Sequence, residues 1–377
     1  MSSAYDGKLL REVDTSRFLE SVESAAAALG RVPVYVVLAL AIRRLLQFQI
    51  QWGNAQGFDR TLACAASLLA LTGPFGILIH ESGHYLAGAA LGQCCRRFVI
   101  GPVELARRAG AWTVRWIGIR RAGLVDFVPS TFVRFRRRRA ICVAGGPVAS
   151  LLAGLVFALL SFHAQTSSLF WIWSYSVQWS LVGLLGLLPM RRGDARSDGY
   201  LLWELIRGGT AVDELQRNLL VASSHATPLR MRDWPHDLIC RLAEVPADPQ
   251  ASRYNAYLAY VHFLDRDERQ VAGQYLDRLM LDWKSDDPPE YALEAAYFHA
   301  FHGDDPIAAR NWLTREGRDA EPWVRLRAQA AMERAAGYPE VACRLAEEAL
   351  SLLRAAPACG AHQYEVDRLQ ALLGDAV

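Results

Sequence analysis

The sequence predicts a mainly α-helical protein: a polytopic bundle of membrane helices with a small cytosolic β element, followed by an all-α helical-repeat domain. Three observations carry this. Apolar runs, the first interrupted only by His80, Glu81 and His84 and the others uncharged, are long enough to cross a bilayer, an arginine-rich stretch separates the first from the second, and the C-terminal third is polar with recurring helical segments. With 52% hydrophobic residues in 377, a mostly disordered chain is excluded. The net charge of +2, from 41 basic and 39 acidic residues, gives no electrostatic footprint for nucleic acid, and no such partner is expected.

Residues 1–60 read as an N-terminal helical or interfacial region. No cleavable signal peptide is visible, because the first thirty residues are polar and include Asp6, Glu12 and Glu20. The apolar stretch Val32 to Ile42, continued by Leu45 to Ile50 after Arg43 and Arg44, fits either an interfacial helix or a fourth span with snorkelling arginines.

The core, residues 61–210, contains three expected spans. Over residues 61–92 the only ionisable side chains, cysteine and tyrosine aside, are His80, Glu81 and His84. Residues 141–162 carry no charge and are rich in Ala, Gly, Ser and Leu, the composition of tightly packed membrane helices. Residues 167–190 are also uncharged, with Trp171, Trp173 and Trp179 suited to an interfacial belt. Between the first two spans, residues 93–140 hold twelve arginines, Arg136 to Arg139 among them, against Glu104 and Asp126, which places this loop on the cytoplasmic side. Its stretches Phe98 to Leu105, Trp112 to Ile119 and Gly123 to Val128 are β-rich and separated by glycine. Arg191, Arg192 and Arg196 return the chain to the same side after the third span.

A Pro-punctuated linker, residues 211–252, leads to the helical domain at 253–377. There Val271-Ala272, Ile307-Ala308 and Val341-Ala342 recur at spacings of 36 and 34, close to the tetratricopeptide period. Such surfaces bind proteins or peptides, so a cytosolic partner of that kind is expected. His262, His299 and His302 read as packing or surface residues. The seven scattered cysteines, never in a CxxC pair, read as free thiols facing a reducing compartment.

The chemistry centres on His80-Glu81-Ser82-Gly83-His84. Residues four apart share a helix face, so His80 and His84 can present two imidazoles to one Zn²⁺, with Glu81 beside them as general base. Polar groups inside an apolar span are costly unless paired, metal-bound or facing water. A hydrolytic zinc takes three protein ligands and leaves a fourth position open, and Asp198, followed by Gly199, is the best third candidate. It could reach the metal if the span unwinds after Pro189; alternatively, Asp198 caps a helix beginning at Tyr200. Asp194 is the runner-up.

Over residues 61–205 the chain resembles the site-2 protease family of intramembrane zinc metalloproteases. The likeness rests on His80-Glu81-Ser82-Gly83-His84, on Ala144-Gly145-Gly146-Pro147, and on Leu187-Leu188-Pro189 followed by Asp198-Gly199. It implies a three-helix catalytic core, one zinc per chain held by His80, His84 and Asp198, Glu81 as catalytic acid/base, and substrate positioning near Gly146, Pro147, Gly186 and Pro189. It also implies a transmembrane protein substrate cleaved near the cytosolic face, in regulated proteolysis. The chain departs from the pattern at Gly186 and Ser150, where the family commonly has asparagine, and in its longer gap from Pro189 to Asp198. The expected setting is the lipid bilayer, as a multi-pass protein of a bacterial inner membrane with the basic loop and C-terminal domain cytosolic. The alternative is a zinc-binding membrane scaffold of little or no activity that recruits a partner through the repeats.

Overall fold

The computed structural model describes residues 62–374, except 109–110, 119–122, 193–194, 245–248, 282, 285–286, 316–319 and 355–357, together with nine residues between 40 and 55. The expectations for the first thirty residues, for 32–50 as a whole and for Asp194 lie outside the described residues. The fold is mainly helical with a small antiparallel sheet. By internal contacts it divides into two units, one comprising the chain up to Gly83 with Gly146–Tyr200, the other His84–Gly145 with Leu201–Val377. Three helices run unbroken through the points of division.

The first unit is built from most of α1 (Leu62–Ala90), the body of α2 (Phe135–Phe162) and α3 (Ser167–Leu185). Small residues set its helix packing. A Cβ on Gly76 would stand 2.8 Å from Trp179 Cβ, and one on Gly154 would stand 3.2 Å from Ser180 Cβ, so glycine lets these helices approach closely. Among the described residues, α2 is the helix long and apolar enough to cross a membrane. Only 28% of its most apolar window is buried, and Leu151, Leu152, Leu155 and Leu159 face outward. The apolar part of α3, Leu169–Leu185, is shorter.

Two boundaries differ from the sequence reading. Helix α2 begins at Phe135 rather than near 141, so Arg136 to Arg139 form its first turn instead of the end of the loop. Helix α3 ends at Leu185 rather than 190. Gly186, Leu187 and Leu188 leave it through i→i−3 hydrogen bonds of 3.0–3.2 Å, ahead of Pro189, whose ring disfavours helical backbone at the residue before it.

In the second unit α1 closes at Gly92, whose φ of 68° is the left-handed conformation of a helix stop. The sheet follows, with β1 (Cys94–Ile100), β2 (Val103–Arg108), β3 (Ala111–Trp116) and β4 (Gly123–Val128) in the order β3-β2-β1-β4, all antiparallel. The expected single stretch Phe98 to Leu105 is divided by a turn at Gly101, φ 52°. Strand β3 is an edge, and its Trp112, Val114 and Trp116, which alternate onto one face, are 48–76% exposed.

After a two-stranded ribbon, β5 (Arg191–Arg192) and β6 (Ala195–Arg196), the remaining chain is helical: α4 (Asp198–Arg207), α5 (Thr210–Ser224), α6 (His236–Glu244), α7 (Pro249–Asp265), α8 (Arg269–Met280), α9 (Pro289–Phe301), α10 (Pro306–Leu313), α11 (Pro322–Ala335), α12 (Pro339–Leu353) and α13 (Gly360–Gly374). The described residues of 211–252 are folded into this body, with Val212, Leu220, Leu229, Trp234, Leu238 and Ile239 buried in one cluster with α7 and α8. Proline opens α7, α9, α10, α11 and α12, where its missing N–H would be unpaired in any helix. Helices α7/α8, α9/α10 and α11/α12 are sequential pairs, each with a fully buried alanine on its second helix, Ala272, Ala309 and Ala342. In the middle pair Ala309, not Ala308, takes that place, and Ile307 is 74% exposed. Where α9, α11 and α13 meet, Glu294 is bonded by Arg327 and Arg368 at 2.6–3.2 Å.

Candidate metal centre

His80 and His84 sit one turn apart on α1, and Glu81 between them is buried. One ligand atom from each of His80, His84 and Asp198 lies within 4.8 Å of the other two, a group able to hold a metal ion. Two imidazoles and a carboxylate are the donor set of a catalytic zinc with one position left open.

Each histidine is oriented by a specific partner. His84 Nδ1 donates to the Cys142 carbonyl at 2.9 Å, so Nε2 is the nitrogen through which His84 would ligate a metal. His80 Nδ1 lies 3.0 Å from the Ser150 hydroxyl, and its Nε2 lies 3.0 Å from Asp198 Oδ2. With Ser150 accepting from Nδ1, the same nitrogen that now meets Asp198 is the one free to coordinate a metal beside that carboxylate. Ser150, read from sequence only as a departure at a substrate-positioning place, is thus fully buried against a candidate ligand.

Backbone contacts that only glycine permits bring Asp198 into position. A Cβ on Gly199 would fall 1.8 Å from the Leu187 carbonyl oxygen, and the Gly199 N–H donates to Gly186 O at 2.8 Å. The start of α4 is thereby pressed onto the turn that ends α3. A Cβ on Gly186 would stand 3.3 Å from Asp198 Oδ2, and one on Gly183 would stand 2.3 Å from Ser150 Oγ and 3.2 Å from His80 Nδ1. Gly183 escaped the sequence reading because its constraint comes from contacts distant in sequence.

Capping of α4 falls to Ser197. Its hydroxyl accepts from the Tyr200 N–H at 3.2 Å and from the Met190 N–H at 2.9 Å, and donates to the Leu188 carbonyl at 2.5 Å. Asp198, relieved of the capping role considered from sequence, directs its carboxylate to His80. The long gap after Pro189 is absorbed by the β5–β6 ribbon, whose Arg191 pairs with Arg196.

Of the other positions, Gly146 and Pro147 lie within α2, which continues through the proline, and Pro189 lies in the turn between α3 and β5.

Compared with known protein families, residues 68–351, from α1 into α12, match the family described as peptidase family M50. No curated protein and no solved structure matches the chain.

Proposed function

Because this chain belongs to peptidase family M50, the site-2 protease family of membrane-associated zinc metalloproteases, we propose that it hydrolyses peptide bonds of membrane-embedded proteins near the cytosolic face. The observation that carries this reading is the convergence of His80, His84 and Asp198 within 4.8 Å on and beside a helix that also buries Glu81. The outward-facing leucines of α2 support a bilayer setting, since a core helix of a soluble protein would bury them. In this reading α1 and α3 span as well, the chain is multi-pass in a bacterial inner membrane, and the sheet and C-terminal helices are cytosolic.

Zinc held by His80, His84 and Asp198 would supply a Lewis acid that polarises the scissile carbonyl and acidifies a water. Glu81 would be the general base and acid, taking a proton from the attacking water and delivering it to the leaving amine. The Cys142 carbonyl, an acceptor only, takes the Nδ1 proton of His84, and the Ser150 hydroxyl, able to donate or accept, meets His80 Nδ1 and orients that ring. The exposed edge of β3 receives an extended stretch of substrate by strand addition, its apolar row offering side-chain contacts. The sequential pairs α7/α8, α9/α10 and α11/α12 act as a tetratricopeptide-like array for a cytosolic protein or peptide.

A zinc-binding scaffold that only recruits a partner is the competing reading, and Glu81, which is no ligand in this group, separates the two. Co-expression with candidate membrane substrates should show cleavage by the wild type and none by Glu81→Gln. Function that is indifferent to Glu81→Gln would favour the scaffold.

A further inference from the structure

Helix α4 carries Asp198 at one end and exposed apolar side chains, Trp203 and Ile206, toward the other. Its sequence, Asp-Gly-Tyr-Leu-Leu-Trp-Glu-Leu-Ile-Arg, has only three charged residues, at 198, 204 and 207. Leu205 is 2% exposed and packs with Leu201 and Leu202 into the hydrophobic cluster of the second unit. Trp203 and Ile206, three residues apart and therefore on a common face, are instead 51% and 70% exposed. A short helix that is apolar on both faces is out of place in water.

Hydrogen bonds fix the level at which this face lies. Arg136 donates from Nε to the Leu205 carbonyl at 2.8 Å and from a terminal nitrogen to the Ile206 carbonyl at 2.5 Å, satisfying carbonyls at the end of α4. Arg136 is the second residue of α2, the helix able to cross a membrane, and it opens the run Arg136 to Arg139 that marks the polar boundary of that span. The last turn of α4 is therefore tied to the depth at which α2 leaves the hydrocarbon. Val133, just before α2, is 66% exposed, and Arg134, Arg137 and Arg207 are exposed alongside. Tryptophan with aliphatic neighbours and a cationic rim is the composition of a surface lying among lipid headgroups.

We propose that α4 is an interfacial membrane helix, its Trp203 and Ile206 inserted at the headgroup and upper acyl level of an anionic lipid leaflet. This rests on the bilayer reading of α2. Lipid then holds the far end of the helix whose first turn presents Asp198, so that the bilayer itself takes part in keeping that carboxylate in place.

The test uses the full-length chain purified and reconstituted into vesicles of phosphatidylethanolamine and phosphatidylglycerol. Single variants Ile206→Cys, Leu155→Cys and Ile307→Cys are treated with N-ethylmaleimide, and modification at each introduced cysteine is followed by mass spectrometry. The reagent crosses bilayers but needs an ionised thiol, which forms only in water. Ile206, Leu155 and Ile307 are 70%, 60% and 74% exposed in the protein, so differences in rate report lipid rather than protein cover. Modification at 206 and 155 at least about tenfold slower than at 307 is expected. Slow reaction at 155 with reaction at 206 as fast as at 307 would overturn the proposal and leave the bilayer reading standing. Fast reaction at 155 would overturn both. As a second measurement, lipids spin-labelled near the headgroup should quench the fluorescence component that Trp203→Phe removes; an unquenched component would likewise overturn the proposal.

Discussion

The Ser150 hydroxyl lies 3.0 Å from His80 Nδ1 because Gly183, facing it on α3, has no side chain: a Cβ there would come within 2.3 Å of the hydroxyl and 3.2 Å of the imidazole. In the proposed metal centre both residues would act through His80. Ser150→Ala is predicted to weaken zinc binding about tenfold to a hundredfold, as loss of a partner behind a ligand commonly does. Gly183→Ala should do at least as much, by displacing both groups. Competition with a chelator of known affinity measures both, and unchanged affinity in Gly183→Ala would refute the role given to this contact.

Ser197 caps α4, while its neighbour Asp198 is the proposed ligand. Ser197→Ala should destabilise the start of α4 by about 1 kcal/mol and lower zinc affinity without abolishing it. Gly199→Ala should be more severe, because its Cβ would meet the Leu187 carbonyl oxygen, a backbone atom, at 1.8 Å. Zinc content measured beside thermal unfolding ranks the two. Equal effects would mean that the close approach of α4 to the α3 turn is dispensable.

The spacing of His80 and His84 made their shared helix face legible in the sequence, and absence of charge marked the bodies of α1, α2 and α3. The ends were harder to read. Arginine counting assigned Arg136 to Arg139 to a loop, yet α2 runs unbroken through this basic stretch from Phe135, and Arg136 is used there to close α4. Asp198 could be read as ligand or cap until Ser197 was seen to occupy the capping position. A ribbon of two-residue strands is too short to give a periodic signal, so the spacing from Pro189 to Asp198 looked anomalous. Ser150 and Gly183 were illegible as site residues because only tertiary approach brings them to His80. In the C-terminal domain the helical pairing was visible, but the repeated Val-Ala dipeptide misaligned the middle pair by one residue, since Ala309 is the one buried.

Two groups in the C-terminal helices set a pH dependence of stability. Burial pushes the Glu294 carboxyl upward, but Arg327 and Arg368 outweigh it and hold the group at about 2, below its ordinary 4.5. A depressed carboxyl contributes stability that is fully present above about pH 4.5 and lost as pH falls toward 2. His302, enclosed by the rings of Tyr297, Phe298 and Phe301, is lowered from 6.5 to about 4, by burial first and then by the Arg368 and Arg269 charges. Its neutral form is favoured in the fold, so stability is also lost as pH falls from 6.5 toward 4. Denaturant unfolding should show a decline beginning below about pH 6.5, and His302→Gln should remove its upper portion. Glu294→Ala, which leaves two buried guanidinium groups short of a partner, should cost about 3–5 kcal/mol at neutral pH. A pH-independent midpoint in the wild type would contradict both assignments.

The edge strand makes a separable prediction. Replacing Trp112, Val114 and Trp116 together by serine should lower cleavage of membrane substrates while leaving zinc content unchanged, because these side chains face outward from β3. Full cleavage by the triple variant would remove strand addition from the mechanism.

The most direct measurement is the zinc content of the purified wild type beside Asp198→Ala and Glu81→Gln, taken with cleavage of a membrane substrate by the same preparations. One zinc per chain in the wild type and in Glu81→Gln, zinc lost from Asp198→Ala, and cleavage by the wild type alone is the predicted result. A wild type that binds no zinc, or an Asp198→Ala chain that binds it as tightly as the wild type, would contradict the metal centre proposed on His80, His84 and Asp198.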